Sequence, residues 1–267
     1  MTLRILCVGD VVGQPGRRAL RHGLEEIANS RAVDCAIVNV ENAAGGSGLT
    51  AQLYDKFRNM GAHVLTLGDH VYRRKEIIPI LERSDCAVRP ANLPKDAPGK
   101  EFAVYRTRSG HAIAVISVLG RLFMKQPLDC PFRTVDRVLG LLPPDVRVVV
   151  VDVHAEATSE KVAMGWHLDG RVSVVFGTHT HVPTADERVL PRGTAYVTDV
   201  GMTGPYDSVL GRRTDRVLSA MITGVPISFD VATQDARMSG IIAEVDPRNG
   251  KALAIERVHV RVADAPE

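Results

Sequence analysis

His179 and His181 stand one residue apart at the end of an apolar, β-branched run, Val172-Ser-Val-Val-Phe-Gly-Thr-His-Thr-His-Val182. Neutral imidazole is a common ligand for transition metals. On an extended backbone, side chains at i and i+2 point to the same side, so the spacing predicts that both imidazoles serve one small site. The same construction, an apolar run and then a residue with a metal-type side chain, recurs along the chain. Leu3 to Val8 leads to Asp10, Cys35 to Val40 to Glu41-Asn42, Val64 to Leu67 to Gly68-Asp69-His70, and Arg147 to Val151 to Asp152-Val-His154. In open α/β sheets, sites form beyond the carboxyl ends of the strands. Several strands each delivering such a residue there is not a chance pattern. The donors are oxygen and imidazole with no thiolate, which suits Mn, Fe or Zn rather than a structural thiolate zinc site. They are too many for one tetrahedral ion. They suit two ions a few ångströms apart, bridged by a carboxylate and a hydroxide, an arrangement that clamps a phosphoryl group and lowers the pKa of the water between the ions.

The elements that must position these residues alternate in the first two thirds of the chain. Strands are expected over 3–8, 35–40, 64–67, 147–151 and 172–177, where the runs are apolar on both faces. Helical periodicity covers 17–30 (Leu20, Leu24, Ile27), a stretch beginning at Thr50 (Leu53, Phe57, Met60), 76–82 with Pro79 weakening its middle, 135–142, and 155–164. Residues 102–105 and 112–118 read as an antiparallel hairpin, and 195–198 as a short strand. Alternating runs at 227–231, 240–245 and 254–262 read as antiparallel strands around the turn Asp-Pro-Arg-Asn-Gly250. The result is a mixed α/β core of two sheets with helices outside, one domain over 1–267. Gly9, Gly13 and Gly16 follow a strand, but their spacing is not G-x-G-x-x-G, so a dinucleotide loop is not read there.

Composition excludes several classes. With 267 residues, 45% hydrophobic and 24% charged, the chain is long enough for a sizeable core. A formal net charge of +2 gives no electrostatic case for nucleic acid or an anionic membrane, and no basic patch interleaved with aromatics suggests a DNA groove. No apolar run is long enough to span a bilayer, and the N-terminus lacks the order of a secretory signal. Cys7, Cys35, Cys86 and Cys130 have no C-x-x-C spacing. A reduced, cytoplasmic setting is the simplest expectation.

Gly-Asp-Val-Val-Gly13, Val-Glu-Asn-Ala-Ala-Gly-Gly46, Gly-Asp-His70, Asp-Val-His-Ala-Glu-Ala-Thr-Ser-Glu-Lys161 and Gly-Thr-His-Thr-His-Val182 together resemble the YmdB-like bacterial branch of the calcineurin-like metallophosphoesterases. The likeness runs in order from Ile5 to about Gly211. It implies an α/β, four-layer αββα metallophosphoesterase sandwich, a dinuclear Fe or Mn centre with Zn as a further option, and hydrolysis of 2′,3′-cyclic nucleotides to 3′-nucleotides. It also implies a cytoplasmic homo-oligomer acting on a small-molecule phosphodiester. By this resemblance Asp10 and His181, helped by Asn42, hold the first ion; Glu41 bridges; Asp69, His154 and His179 hold the second; and His70 protonates the leaving oxygen.

The chain departs from the wider superfamily at Val12, where a metal-binding His is usual, and the branch shares this. It departs from the branch at Asp69, where Asn is expected. Two divalent ions with Asp10, Glu41 and a hydroxide would sum to plus one; an ionised Asp69 brings the sum to zero. The expected consequence is weaker attraction for a phosphate anion, or one ferric ion restoring the balance. Asp69 also keeps open a second reading, a regulatory or scaffold protein that retains the metal site with weak or no activity. Hydrolysis of another bond, such as an amide, uses the same activated water and is a third. Among other loop residues, Arg121 is as consistent with a phosphate contact as with a solvated turn, Ser47 and Thr50 with helix caps, and Met202-Thr-Gly204 with the rim of the pocket.

Overall fold

A computed structural model describes residues 2–262. The first sheet contains β1 (Leu3–Val8), β2 (Cys35–Asn39), β3 (Val64–Thr66) and β4 (Ala87–Val88), all mutually parallel. The second contains β5 (Phe102–Arg106), β6 (Ala112–Leu119), β7 (Val148–His154), β8 (Val174–Thr178), β9 (Arg188–Val189) and β10 (Ala195–Val197), in the order β5-β6-β7-β8-β10-β9. Three later strands, β11 (Gly204–Pro205), β12 (Ala236–Val245) and β13 (Ala252–Arg261), return to the first sheet. There β12 lies antiparallel to β1 and carries both β11 and β13.

Period-two alternation sorts each central strand between two cores. Leu3, Ile5 and Cys7 of β1 meet Val148 and Val150 of β7 and Val174 and Phe176 of β8 between the sheets. Leu6 and Val8 point the other way, onto α1 (Gly13–Ser30) and α2 (Ala51–Asn59). On the far side Val149, Val151 and Val153 pack with α4 (Pro131–Leu139) and α5 (Thr158–Leu168). The layers are therefore α, β, β, α, which explains why the strands read as unbroken apolar runs: each is covered on both faces.

Several expectations need correction. Pro79 does not weaken the middle of a helix. A 3₁₀ turn at Lys75–Ile77 leads into α3 (Ile78–Arg83), and Pro79 occupies its first turn, where a missing N–H costs nothing. The run 227–231 is not a strand. Its one sheet-like contact is an isolated bridge between Val231 and Arg212. Before it lies a helix the periodicity did not show, α6 (Thr214–Thr223), with Val217 as its buried residue. No helix among the described residues is long and apolar enough to cross a membrane.

Candidate metal centre

The carboxyl ends of the two parallel sets converge, and the residues they carry divide by chemistry. Asp10, Glu41 and Asp69 follow β1, β2 and β3; His154 closes β7, and His179 and His181 follow β8. One sheet brings carboxylates and the other imidazoles. The seam between them is tied by Asp152, which is wholly buried. Its carboxylate accepts from Asn39 Nδ2 (3.1 Å) and Thr66 Oγ1 (2.5 Å) of the first sheet and from Thr178 Oγ1 (2.6 Å) of its own. Burial pushes the Asp152 carboxyl up to about 6.

Each histidine is anchored through one ring nitrogen, and this fixes what the other can do. Thr178 has already given its hydroxyl proton to Asp152, so it accepts from His154 Nδ1 at 2.9 Å. His179 Nε2 faces Glu156 Oε2 at 3.3 Å, and His181 Nδ1 faces the Leu210 carbonyl at 3.1 Å. The nitrogens left over face inward, where each can carry a proton or offer a lone pair. His154 Nε2 and His179 Nδ1 are 3.0 Å apart. Asp69 Oδ1 lies 3.2 Å and Glu41 Oε2 3.3 Å from His154 Nε2. Ligand atoms of Glu41, Asp69, His154 and His179 all lie within 4.8 Å of one another. Four acceptors that close repel unless a cation or a proton sits among them. Burial opposes a charged His154, but the charge of Glu41 and the hydrogen bonds of Asp69 and Glu41 outweigh it and hold its pKa well above the ordinary value. Metal and proton compete for the same lone pair.

A second group lies alongside. Asp10 Oδ1 is buried with no hydrogen-bond partner among the described residues, 4.0 Å from His181 Nε2. An orphaned carboxylate oxygen aimed at an imidazole lone pair fits a cation. Asn42 stands here too, but its Oδ1 is engaged by His70 Nδ1 (2.9 Å), and its Nδ2 faces Glu41 Oε1 (3.0 Å) and His181 Nε2 (3.2 Å). Glu41, a member of the first group, reaches the second through Asn42. Burial would raise Glu41 and Asp69, yet the charge and hydrogen bonds of the surrounding histidines hold both below the usual carboxylate range. His70, which lines the cavity, also faces Glu41 Oε1 through Nδ1 at 3.1 Å, while its Nε2 lies 3.8 Å from Asp69 Oδ2. Burial opposes a charged His70, but Glu41 and Asp69 outweigh it and raise its pKa. Gly68 is required by the crowding: a Cβ there would lie 2.2 Å from Glu41 Oε2 and 2.3 Å from His154 Nε2.

The two histidines after β8 reach the site differently from the extended backbone their spacing suggested. His179 and His181 have φ of 89° and 64°, a left-handed conformation that costs energy for a non-glycine residue. Thr180 between them is held from behind. Its Oγ1 donates to Asp199 Oδ2 (2.6 Å), and Lys161 Nζ from α5 donates to both Asp199 Oδ2 (2.6 Å) and Thr180 Oγ1 (3.1 Å). Lys161 and Asp199 are each 1% exposed.

Of the loop residues singled out in the sequence, Thr50 caps α2 through Leu53 N. Met202 and Thr203 brace the site from behind, donating to the His181 and Asp10 carbonyls. Arg121 is exposed, its backbone N–H taken by Glu160, and it does not line the cavity. Glu156, Thr178, Lys161 and Arg212 of this neighbourhood were not anticipated. The one sequence signal was Asp152, a charge inside a valine run.

The family model for YmdB-like proteins matches residues 6–258. The chain belongs to the YmdB-like family. This YmdB-like chain is 43% identical over 256 residues to a Bacillus subtilis (strain 168) protein named 2′,3′-cyclic-nucleotide 2′-phosphodiesterase, covering 96% of each. It superposes on a crystal structure of a hypothetical protein from Thermus thermophilus with TM-score 0.90 and 42% identity, covering 97% of this chain and 99% of that one. It superposes on a structure described as a novel phosphatase from Mycoplasma pneumoniae with TM-score 0.91 and 31% identity, covering 98% and 94%. The four-layer αββα metallophosphoesterase architecture is thus that of the family.

Removing one partner of a buried ion pair leaves an uncompensated charge and costs about 3–5 kcal/mol. Lys161→Met is expected to lower the unfolding free energy by about that amount, read from urea denaturation; a change below about 1 kcal/mol would mean the Lys161–Asp199 pair does not brace the turn.

Proposed function

We propose that this chain is a metal-dependent phosphodiesterase that opens small cyclic phosphodiesters, 2′,3′-cyclic nucleotides foremost, to 3′-nucleotides. The observation that carries the reading is the crowding of Glu41, Asp69, His154 and His179 acceptors within 4.8 Å. The orphaned Asp10 oxygen supports it, as does the name of the Bacillus subtilis relative. Asp10 and His181, with Asn42, would hold one ion; Asp69, His154 and His179 a second; and Glu41 both. The oxygen and imidazole donor set favours Fe or Mn, with Zn possible. When bound, two such ions supply charge to the phosphoryl oxygens and lower the pKa of an attacking water.

The chain's own contribution is to position and to move a proton. Glu41 and Asn42 hold His70 Nδ1 and leave Nε2, 3.8 Å from Asp69 Oδ2, as the nitrogen with a proton to give. Water adds to phosphorus, the P–O2′ bond breaks, and the Nε2 proton passes to O2′, leaving the phosphate on O3′. This is general acid catalysis. We extend the proposal to one domain over 1–267, acting in the cytoplasm as a homo-oligomer. The four free cysteines accord with a reducing compartment, and exposed Met221 and Ile222 on α6 accord with a subunit contact.

Protein supplied with Mn or Fe is expected to bind about two ions per chain and to convert a 2′,3′-cyclic nucleotide to the 3′-nucleotide, followed by chromatography. Bound metal with no turnover on any diester would shift the conclusion to the regulatory reading that Asp69 keeps open. His70→Asn is expected to lower kcat by about 10²–10⁴ with metal content intact; unchanged kcat removes His70 from the reaction. Asp69→Asn removes a negative charge beside the phosphoryl site. It should tighten inhibition by phosphate by about 1–2 kcal/mol, roughly 5- to 30-fold. No change in inhibition or in metal oxidation state would show that the charge of Asp69 is immaterial.

A further inference from the structure

The cavity beside the acceptor groups encloses about 320 Å³, and Arg212 is the one lysine or arginine among its lining residues. Arg212 sits in a chain segment that is itself held. Its N–H donates to the Val209 carbonyl (2.9 Å), its carbonyl accepts from Val209 N (2.8 Å), and it forms a bridge to Val231. The guanidinium lies across the Gly-rich loop after β2. Nη2 donates to the Gly46 carbonyl (2.7 Å) and Nη1 to the Phe229 carbonyl (3.1 Å). It rests against Gly46, whose φ is +88°; a Cβ there would lie 2.5 Å from Nη1 and 2.8 Å from Cζ. Only glycine lets the plane settle in this way.

These two bonds do not need a positive charge. A neutral amide would satisfy a carbonyl as well, and a half-buried guanidinium without a counter-ion is costly. Among the described residues, no carboxylate oxygen lies within 4.0 Å of the Arg212 guanidinium nitrogens, and Asp230 acts on it only through its field. Two of its five N–H donors are spent on backbone, which fixes the plane and leaves the others free. A planar cation fixed in advance loses little freedom on binding, and its fork matches the oxygens of a phosphoryl group.

Resting on the phosphodiesterase reading, we propose that Arg212 anchors the substrate, donating its free N–H groups to a non-bridging oxygen of the phosphodiester. The residue takes the part that the sequence offered to Arg121. It neither holds metal nor transfers a proton; it sets where the phosphorus atom rests relative to His70.

Inorganic phosphate is the probe, bound to Mn-loaded protein and followed by calorimetry. Arg212→Met is expected to weaken phosphate binding about 10- to 100-fold, with Mn per chain unchanged, and to raise KM for the cyclic nucleotide more than it lowers kcat. Arg212→Lys should recover part of the affinity, since it restores charge but not the fork. Should the Met variant not fold, Arg212→Gln decides, because it keeps a polar amide donor on the Gly46 side while lacking the charge and the guanidinium fork. Phosphate affinity equal to wild type in the Met or Gln variant overturns the proposal. Wild-type protein that binds phosphate but hydrolyses no diester defeats the phosphodiesterase reading instead, and the affinities of the variants still judge Arg212.

Discussion

Repulsion among unshared electron pairs is the constraint from which the rest of this molecule can be understood. His154 and His179 have each committed one ring nitrogen to an anchor, and the remaining two face each other at 3.0 Å beside two carboxylates. A protein interior tolerates such crowding only where something positive is meant to occupy it. The anchors belong to the same design. Thr178 can accept from His154 because Asp152 has taken its proton, and Asp152 can stay buried because Asn39, Thr66 and Thr178 all donate to it. The polar chain from seam to site is satisfied until it reaches the lone pairs.

Around this centre the backbone accepts local strain. Two consecutive odd positions, 179 and 181, take left-handed conformations, and the intervening Thr180 is fastened to a buried ion pair. The Gly-rich loop after β2 yields its Gly46 carbonyl to Arg212. Rigidity is thus concentrated in the loops, where loops are usually the mobile part of a fold, and the sheets below supply the fixed frame.

Much of this was readable in the chain. β1 falls where its apolar run lies, Leu3–Val8, because a strand covered on both faces leaves no ambiguity of period. The shared placement of Asp10, Glu41, Asp69, His154, His179 and His181 at one end of the sheets was legible because each follows or closes an apolar strand. What stayed hidden depended on distance. Arg212 lies far in sequence from Gly46, and no local pattern announces that a guanidinium will lie on that glycine. Lys161 looks like any surface lysine of a helix until Asp199 is brought to it. The helix α6 was missed because it buries little beyond Val217 and so shows no clear stripe, while the run 227–231 had β-forming residues but no neighbouring strand to pair with.

The division of labour between the sheets has a mechanical consequence. Acids come from one sheet and imidazoles from the other, so each proposed ion is gripped by two bodies that touch chiefly through an apolar interface, Leu3, Ile5 and Cys7 against Val148, Val150 and Phe176. The apolar faces resist sliding through the fit of their side chains, and directional bonds cross only at the polar seam, where Asn39 and Thr66 donate to Asp152. A pair of ions so held would work as a vernier at the end of the sandwich. A slip of the layers too small to disturb the core's buried area would open the ligand distances at one ion and close them at the other, so the alignment of two greasy surfaces becomes legible in the coordination chemistry at their rim.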